Sequence, residues 1–134
     1  MILIDTNVIS DIVSNDPNWY DWSVARIEEA SILGKLMIVD VIYAELAARY
    51  SRIEELNQMI DGMELVIAPM SRESLFLAAK AFQRYRASGG TRTGVLPDFF
   101  IGAHAAVVRV PLLTRDAKRY ATYFPTVKLI APGI

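Results

Sequence analysis

Residues 1–10 read Met1-Ile2-Leu3-Ile4-Asp5-Thr6-Asn7-Val8-Ile9-Ser10. A short apolar run, then an acidic polar turn, then a helical pattern predicts a buried parallel strand that delivers Asp5 at its C-terminal end. In an open α/β sheet, that end is where ligands and reacting groups gather. Aspartate at a strand-to-helix turn has a commoner role, capping the helix, and the stretch alone does not separate the two.

The same alternation continues along the chain. Strands are expected at Leu36–Val39, closed by Asp40, at Leu65–Ile67, ended by Pro69, at Val110–Leu113, running into Thr114-Arg115-Asp116, and at Val127–Ile130. Between them, helical periodicity covers Trp19–Leu33 with Trp22, Ala25, Ile27, Ala30 and Leu33 inward, and Val41–Tyr50. It then covers Ser51–Gly62 with Ile53, Leu56 and Ile60 inward. Ser71 caps a long helix to about Ser88 with Leu75, Ala78, Ala79 and Phe82 on its core side, and Pro97 opens a helix through Val108. Ala117–Tyr123 is a short helix before the last strand. Strand alternating with helix predicts one domain over residues 1–134, a three-layer α/β/α sandwich on a mainly parallel sheet of four to five strands.

With 134 residues, 53% of them apolar, the chain can bury a substantial core. It has no cysteine, which removes disulfides, thiolate metal sites and cysteine nucleophiles. Its apolar runs are too short and too often interrupted by charge to span a bilayer, and no basic leader precedes the first strand, so no membrane association and a cytoplasmic address are expected. The formal charge of −1 is not that of a strongly basic duplex-binding surface. Ten of the fourteen basic residues are nevertheless arginine, the side chain best suited to phosphate.

Four acids stand in telling contexts. Asp5 and Asp116 each follow an apolar strand. Glu45 is flanked by Ile42, Tyr43, Ala44, Leu46, Ala47 and Ala48, and the apolar surroundings predict a largely buried side chain or an i,i+4 pair with Arg49. Asp98 opens the helix Phe99-Phe100-Ile101-Gly102-Ala103, where it either complements the positive helix end or joins the other acids. Right-handed crossovers put the C-terminal strand ends on one edge of the sheet, to which all four can project. Carboxylates crowded there repel, and a hard divalent cation resolves the repulsion. All-oxygen ligation selects Mg²⁺ or Mn²⁺ over zinc, and such a site suits phosphodiester hydrolysis by an activated water. Thr6, Asn7 and Thr114 are placed to orient the carboxylates or the water.

The lone His104 lies off the Asp98 face and is expected to pack in the interior or at its rim, so no Ser/His/Asp triad is available. The stretch Gly89-Gly90-Thr91-Arg92-Thr93-Gly94 is either a plain linker or a loop that carries Arg92 to phosphate. It lacks the Gly-Lys-Ser/Thr ending of a P-loop.

Asp5-Thr6-Asn7-Val8-Ile9-Ser10, Glu45 in its helix, Leu96-Pro97-Asp98-Phe99-Phe100-Ile101-Gly102-Ala103, and Leu113-Thr114-Arg115-Asp116 followed by Tyr123-Phe124-Pro125 together resemble the PIN-domain ribonucleases of the VapC-like toxin group. The resemblance runs over essentially the full length. It implies a PIN-like fold and a Mg²⁺-dependent (or Mn²⁺-dependent) endoribonuclease that is dimeric, is held inactive by a cognate VapB-like antitoxin, and acts on structured RNA such as tRNA. On that resemblance Asp5, Glu45, Asp98 and Asp116 match the metal-binding catalytic acids, Thr114 the polar active-site position, and Asn7 the support of the first Asp. Arg92 and Arg115 are the candidate RNA contacts.

A catalytically silent PIN-like module that binds an antitoxin-like partner is the alternative. A receiver or haloacid-dehalogenase-like phosphatase fits poorly. Asp5-Thr6-Asn7 lacks the second Asp of Asp-x-Asp, and no acceptor Asp follows Leu65–Ala68.

Overall fold

Three consecutive apolar residues with no polar interruption make strand β1 (Ile2–Ile4), all of whose side chains are buried. That is the signature of a strand covered on both faces. In the computed structural model, which describes residues 1–133, β1 pairs in parallel with β2 (Leu36–Val39) on one side and β4 (Leu112–Leu113) on the other. β3 (Leu65–Ala68) and β5 (Leu129–Ile130) extend the sheet outward, also in parallel, so the strand order is β3-β2-β1-β4-β5.

Seven helices among the described residues flank this sheet: α1 (Thr6–Val13), α2 (Tyr20–Leu33), α3 (Asp40–Ala47), α4 (Ile53–Gly62), α5 (Arg72–Ala87), α6 (Leu96–Val108) and α7 (Ala117–Tyr123). The result is a three-layer α/β sandwich with five parallel strands. Strand order runs outward one way from β1 through β2 and β3, then resumes on the other side with β4. The crevice between the C-terminal ends of β1 and β4 is therefore the switch point where open α/β sheets bind ligands.

Several boundaries differ from the sequence reading. β4 begins at Leu112 rather than Val110, although the Pro111 carbonyl still accepts from Leu3 N–H at 3.0 Å. β5 begins at Leu129 rather than Val127, whose N–H turns back to the Phe124 carbonyl. α3 stops at Ala47 and α4 starts at Ile53, with a tight connection between them.

The inward faces also shift. Ile53 and Leu33 are exposed, as are Leu75 and Ala79, and the buried face of α5 carries Ser74, Ala78 and Ala81 instead. That narrow, small-residue face lets α5 lie close to α6, and Phe82 and Tyr85 then meet Phe99 at centroid distances of 5.3 and 5.5 Å. Close approach recurs between α6 and α7. A Cβ on Gly102 would stand 2.3 Å from the Phe124 ring, so only glycine admits that aromatic residue against the helix.

His104 is buried in α6, as its apolar neighbours imply, and neither ring nitrogen has a hydrogen-bond partner. Burial lowers its pKa below the ordinary 6.5, which favours the neutral imidazole in the fold.

Candidate active site

Asp5 is the first residue beyond β1, held in register by its N–H to the Leu113 carbonyl at 2.9 Å. It occupies the N-cap position of α1 in extended conformation, yet its side chain makes no capping bond. The carboxylate points instead into the crevice beside β4. Three side-chain donors converge on its Oδ2: the Thr114 hydroxyl at 2.8 Å, the Tyr120 hydroxyl at 2.9 Å and the Asn7 amide at 3.3 Å. No side-chain donor claims Oδ1 among the described residues.

Burial raises the Asp5 pKa from 3.8 to about 7, against the Thr114 and Tyr120 hydrogen bonds and with the help of the Asp98 charge. Burial is also the main reason that the Tyr120 phenol is pushed well above 10, reinforced by the charges of Asp5, Asp98 and Glu45. Tyr120 is therefore a fixed donor.

Thr114 ties the two strand ends together. While donating to Asp5, its hydroxyl accepts from the Asp116 N–H at 3.1 Å and from the Asn7 amide at 3.4 Å. Asn7 Oδ1 accepts in turn from the Arg115 N–H at 3.4 Å. The turn that presents Asp116 is thus fastened to the turn that presents Asp5. Asp116 stands at the N-cap position of α7 but, like Asp5, makes no capping bond with its side chain.

Asp98, in the first turn of α6, is the electrostatic centre. Burial raises its pKa, the Arg119 guanidinium lowers it, and Glu45 and Asp116 raise it again. Asp98 thus faces the charges of Glu45 and Asp116, and Asp5 faces that of Asp98. The Arg119 Nη1 donates to Asp98 Oδ2.

Glu45 departs from expectation in two respects, the first being that it is exposed, as are Ala44 and Ala48. α3 turns this face to solvent, and alanine is small enough to be tolerated there. The pairing with Arg49 is absent as well. Thr6 Oγ1 donates to Glu45 Oε1 at 2.6 Å, and Arg49 Nε reaches Ser10 Oγ at 3.2 Å.

As they stand, no three acidic or imidazole side chains among the described residues form a ready chelate. Asp98 is turned onto Arg119. The donor set is nevertheless all oxygen, and a buried carboxyl held near neutrality beside three other acids is the situation a hard dication relieves. The chemistry of the set fits a hard dication such as Mg²⁺ or Mn²⁺, which Asp98 could help hold only by leaving Arg119.

Residues 2–125 match the sequence model of the PIN domain. The chain belongs to the PIN domain family. Solved structures agree on the fold. A chain of VapBC2 from Rickettsia felis, bound to a DNA fragment from their promoter, superposes with a TM-score of 0.73 at 20% identity over 98% of each chain. FitAcB from Neisseria gonorrhoeae gives 0.66 at 22% identity, covering 97% of this chain and 96% of that one. A toxin–antitoxin complex from Klebsiella pneumoniae gives 0.67 at 20% identity over 98% of both. Comparison with curated proteins finds no match.

Three residues around this PIN-domain crevice were not singled out from sequence for the parts they play. Arg119 and Tyr120 lie three and four positions after Asp116, the spacing that puts side chains on one helix face, and that was the available signal. Asp11 is buried in α1, where it accepts from Ser23 Oγ at 2.9 Å and from Arg115 Nε at 2.8 Å. Arg115 also lies over the Trp19 ring at 5.5 Å. Its guanidinium is thus a strut between the Asp116 turn and helices α1 and α2. Arg92, by contrast, stands in an open groove next to Asp116 and Arg119.

Proposed function

We propose that this PIN domain is a divalent-metal-dependent endoribonuclease, the toxin of a toxin–antitoxin pair restrained by a cognate antitoxin. The observation that carries the reading is the gathering of four acids at the switch point of the sheet: Thr114 bonds buried Asp5 to the turn that presents Asp116, Thr6 beside Asp5 holds Glu45, and Asp98 faces the charges of Glu45 and Asp116. Scattered helix caps would not be arranged so, and two of the four occupy cap positions without capping. The fold shared with chains of toxin–antitoxin complexes supports the partner, and a cytoplasmic, dimeric toxin is the form this reading takes.

Asp5, Asp98 and Asp116 would hold Mg²⁺ or Mn²⁺, with Glu45 at the exposed rim. A bound dication supplies Lewis acidity at the phosphoryl oxygen, an acidified water and charge for the leaving oxyanion. The chain's own residues do the positioning. Thr114, Tyr120 and Asn7 fix Asp5 by its Oδ2 and leave Oδ1 without a side-chain donor among the described residues. Thr6 fixes Glu45, which is exposed enough to orient a water. Arg119 neutralises Asp98 until that carboxylate is needed.

The pairing of Asp98 with Arg119 also favours a second reading, a catalytically silent module whose acids are already satisfied. Cleavage assays separate the two. With Mn²⁺ present, wild type should cut RNA, and Asp98→Asn and Asp116→Asn should each cut at least about 10²-fold more slowly. Both variants should fold, because Asp116 has no ion pair among the described residues and Asp98→Asn keeps an amide oxygen to accept from Arg119 Nη1. Wild-type rates in either variant would remove that residue from the mechanism. No metal-dependent cleavage by wild type would leave the silent module.

A further inference from the structure

The glycine-rich loop after α5 is folded against Tyr85 rather than left as a slack tether. Gly89 takes φ +92°, a left-handed conformation that favours glycine. Gly90 donates its N–H to the Tyr85 carbonyl at 2.9 Å, and a Cβ there would stand 2.5 Å from the Tyr85 ring. The Arg92 N–H then donates to the Tyr85 hydroxyl at 3.1 Å. Tyr85 itself is held edge-on by Tyr123 at 6.0 Å. The tyrosine pair thus fixes the backbone that carries Arg92.

That backbone forms one wall of a groove of about 380 Å³, whose other wall is α7. Arg92, Lys118 and Arg119 line it against a single carboxylate, Asp116. The local excess of positive charge contrasts with a chain whose formal net charge is −1. Three other grooves among the described residues lack this combination. One, beside Lys35, and another, beside Arg109 and Lys128, open at the N-terminal edge of the sheet, away from the acids. A third is mainly apolar, with Arg52 as its one cation. Arg119 reaches from the cationic groove into the cluster, with its Nη1 on Asp98.

We propose that this groove is the track for the phosphate backbone of an RNA strand, gripped by Arg92 and Lys118 and led past Arg119 to the carboxylates. The proposal rests on the nuclease reading and adds to it where the substrate lies. Planar guanidinium groups match phosphate oxygens two at a time, and Lys118 adds a point charge. Arg115, the other sequence candidate, is outside the track because its Nε is committed to Asp11.

Binding of a labelled single-stranded RNA of mixed sequence, measured in EDTA so that it stays intact, tests the assignment. Arg92→Ala and Lys118→Ala remove exposed side chains and should leave the fold intact. Each should weaken binding by about 3- to 10-fold at low salt and reduce the slope of log K against log salt by about 0.7 to 1. Lys35→Ala, at the opposite edge, should match wild type. Groove variants that bind RNA no worse than Lys35→Ala overturn the track, and weakened binding of polyglutamate in those same variants would assign the groove to an acidic protein segment instead. If wild type cleaves RNA with Mn²⁺ while the groove variants bind and cleave normally, the track alone fails. If wild type neither binds nor cleaves, the nuclease reading falls and the track with it.

Discussion

Asp5→Asn should melt about 5–10 °C above wild type in metal-free buffer at pH 8, while losing both RNA cleavage and any Mn²⁺-induced rise in Tm. The carboxyl is buried, and its pKa stands at about 7 in the fold against an ordinary 3.8. The folded chain therefore holds this proton more tightly than the unfolded chain does. The stability so contributed is fully present below about pH 4 and is lost as the pH rises through 7. Ionising Asp5 without a counter-ion costs up to about 4 kcal/mol on that basis, an upper bound because water and small shifts relieve part of it.

Asparagine keeps an acceptor for Thr114, Tyr120 and Asn7 and removes the charge. The difference in Tm between variant and wild type should be small at pH 4 and reach its full size by pH 8. Comparing the two proteins cancels the opposing contribution of His104, whose pKa burial lowers, so that it disfavours folding as the pH falls below 6.5. Unchanged stability at pH 8 would mean that the Asp5 charge is already compensated within the chain.

Arg115→Ala should destabilise the protein by about 2 kcal/mol, less than the roughly 3–5 kcal/mol of a fully buried pair, because the guanidinium itself is about one-third exposed. Its loss leaves the Asp11 carboxylate, 3% exposed, with Ser23 as its remaining hydrogen-bond donor among the described residues. Arg115→Lys should recover only part of the loss, since an ammonium neither presents a planar fork nor lies flat on Trp19. Adding Asp11→Asn to Arg115→Ala should recover more, by removing the stranded charge. Urea denaturation of the four proteins measures this directly. A stable Arg115→Ala that binds RNA poorly would instead make Arg115 a substrate contact.

Much of this arrangement was legible in the chain, for physical reasons that differ from element to element. Uninterrupted apolar runs such as Ile2–Ile4 and Leu36–Val39 leave a strand no exposed face, so they read as the middle of a parallel sheet, where they lie. Ser71 as N-cap of α5, accepting from the Ser74 N–H, and Pro97 in the first turn of α6 followed from local chemistry.

The exposure of Glu45 was not legible, because the alanines beside it count as apolar yet suit either face of a helix. Leu75 and Ile53 were misassigned because periodicity gives a face but not how wide a strip the neighbouring helix covers. The roles of Arg119 and Tyr120 depend on the angle at which α7 leaves β4, and that of Asp11 on a partner 104 residues away. Those are tertiary facts with at most a spacing to hint at them. Asp5 is intermediate: its position was readable, and its freedom from capping was not.

A crystal of the wild-type protein soaked in Mn²⁺ and measured for anomalous scattering shows whether these acids share an ion. The expected result is a peak bounded by Asp5, Asp98 and Asp116, with Arg119 turned away from Asp98. Full Mn²⁺ exposure with no peak among these residues, and Arg119 still bonded to Asp98, would contradict it.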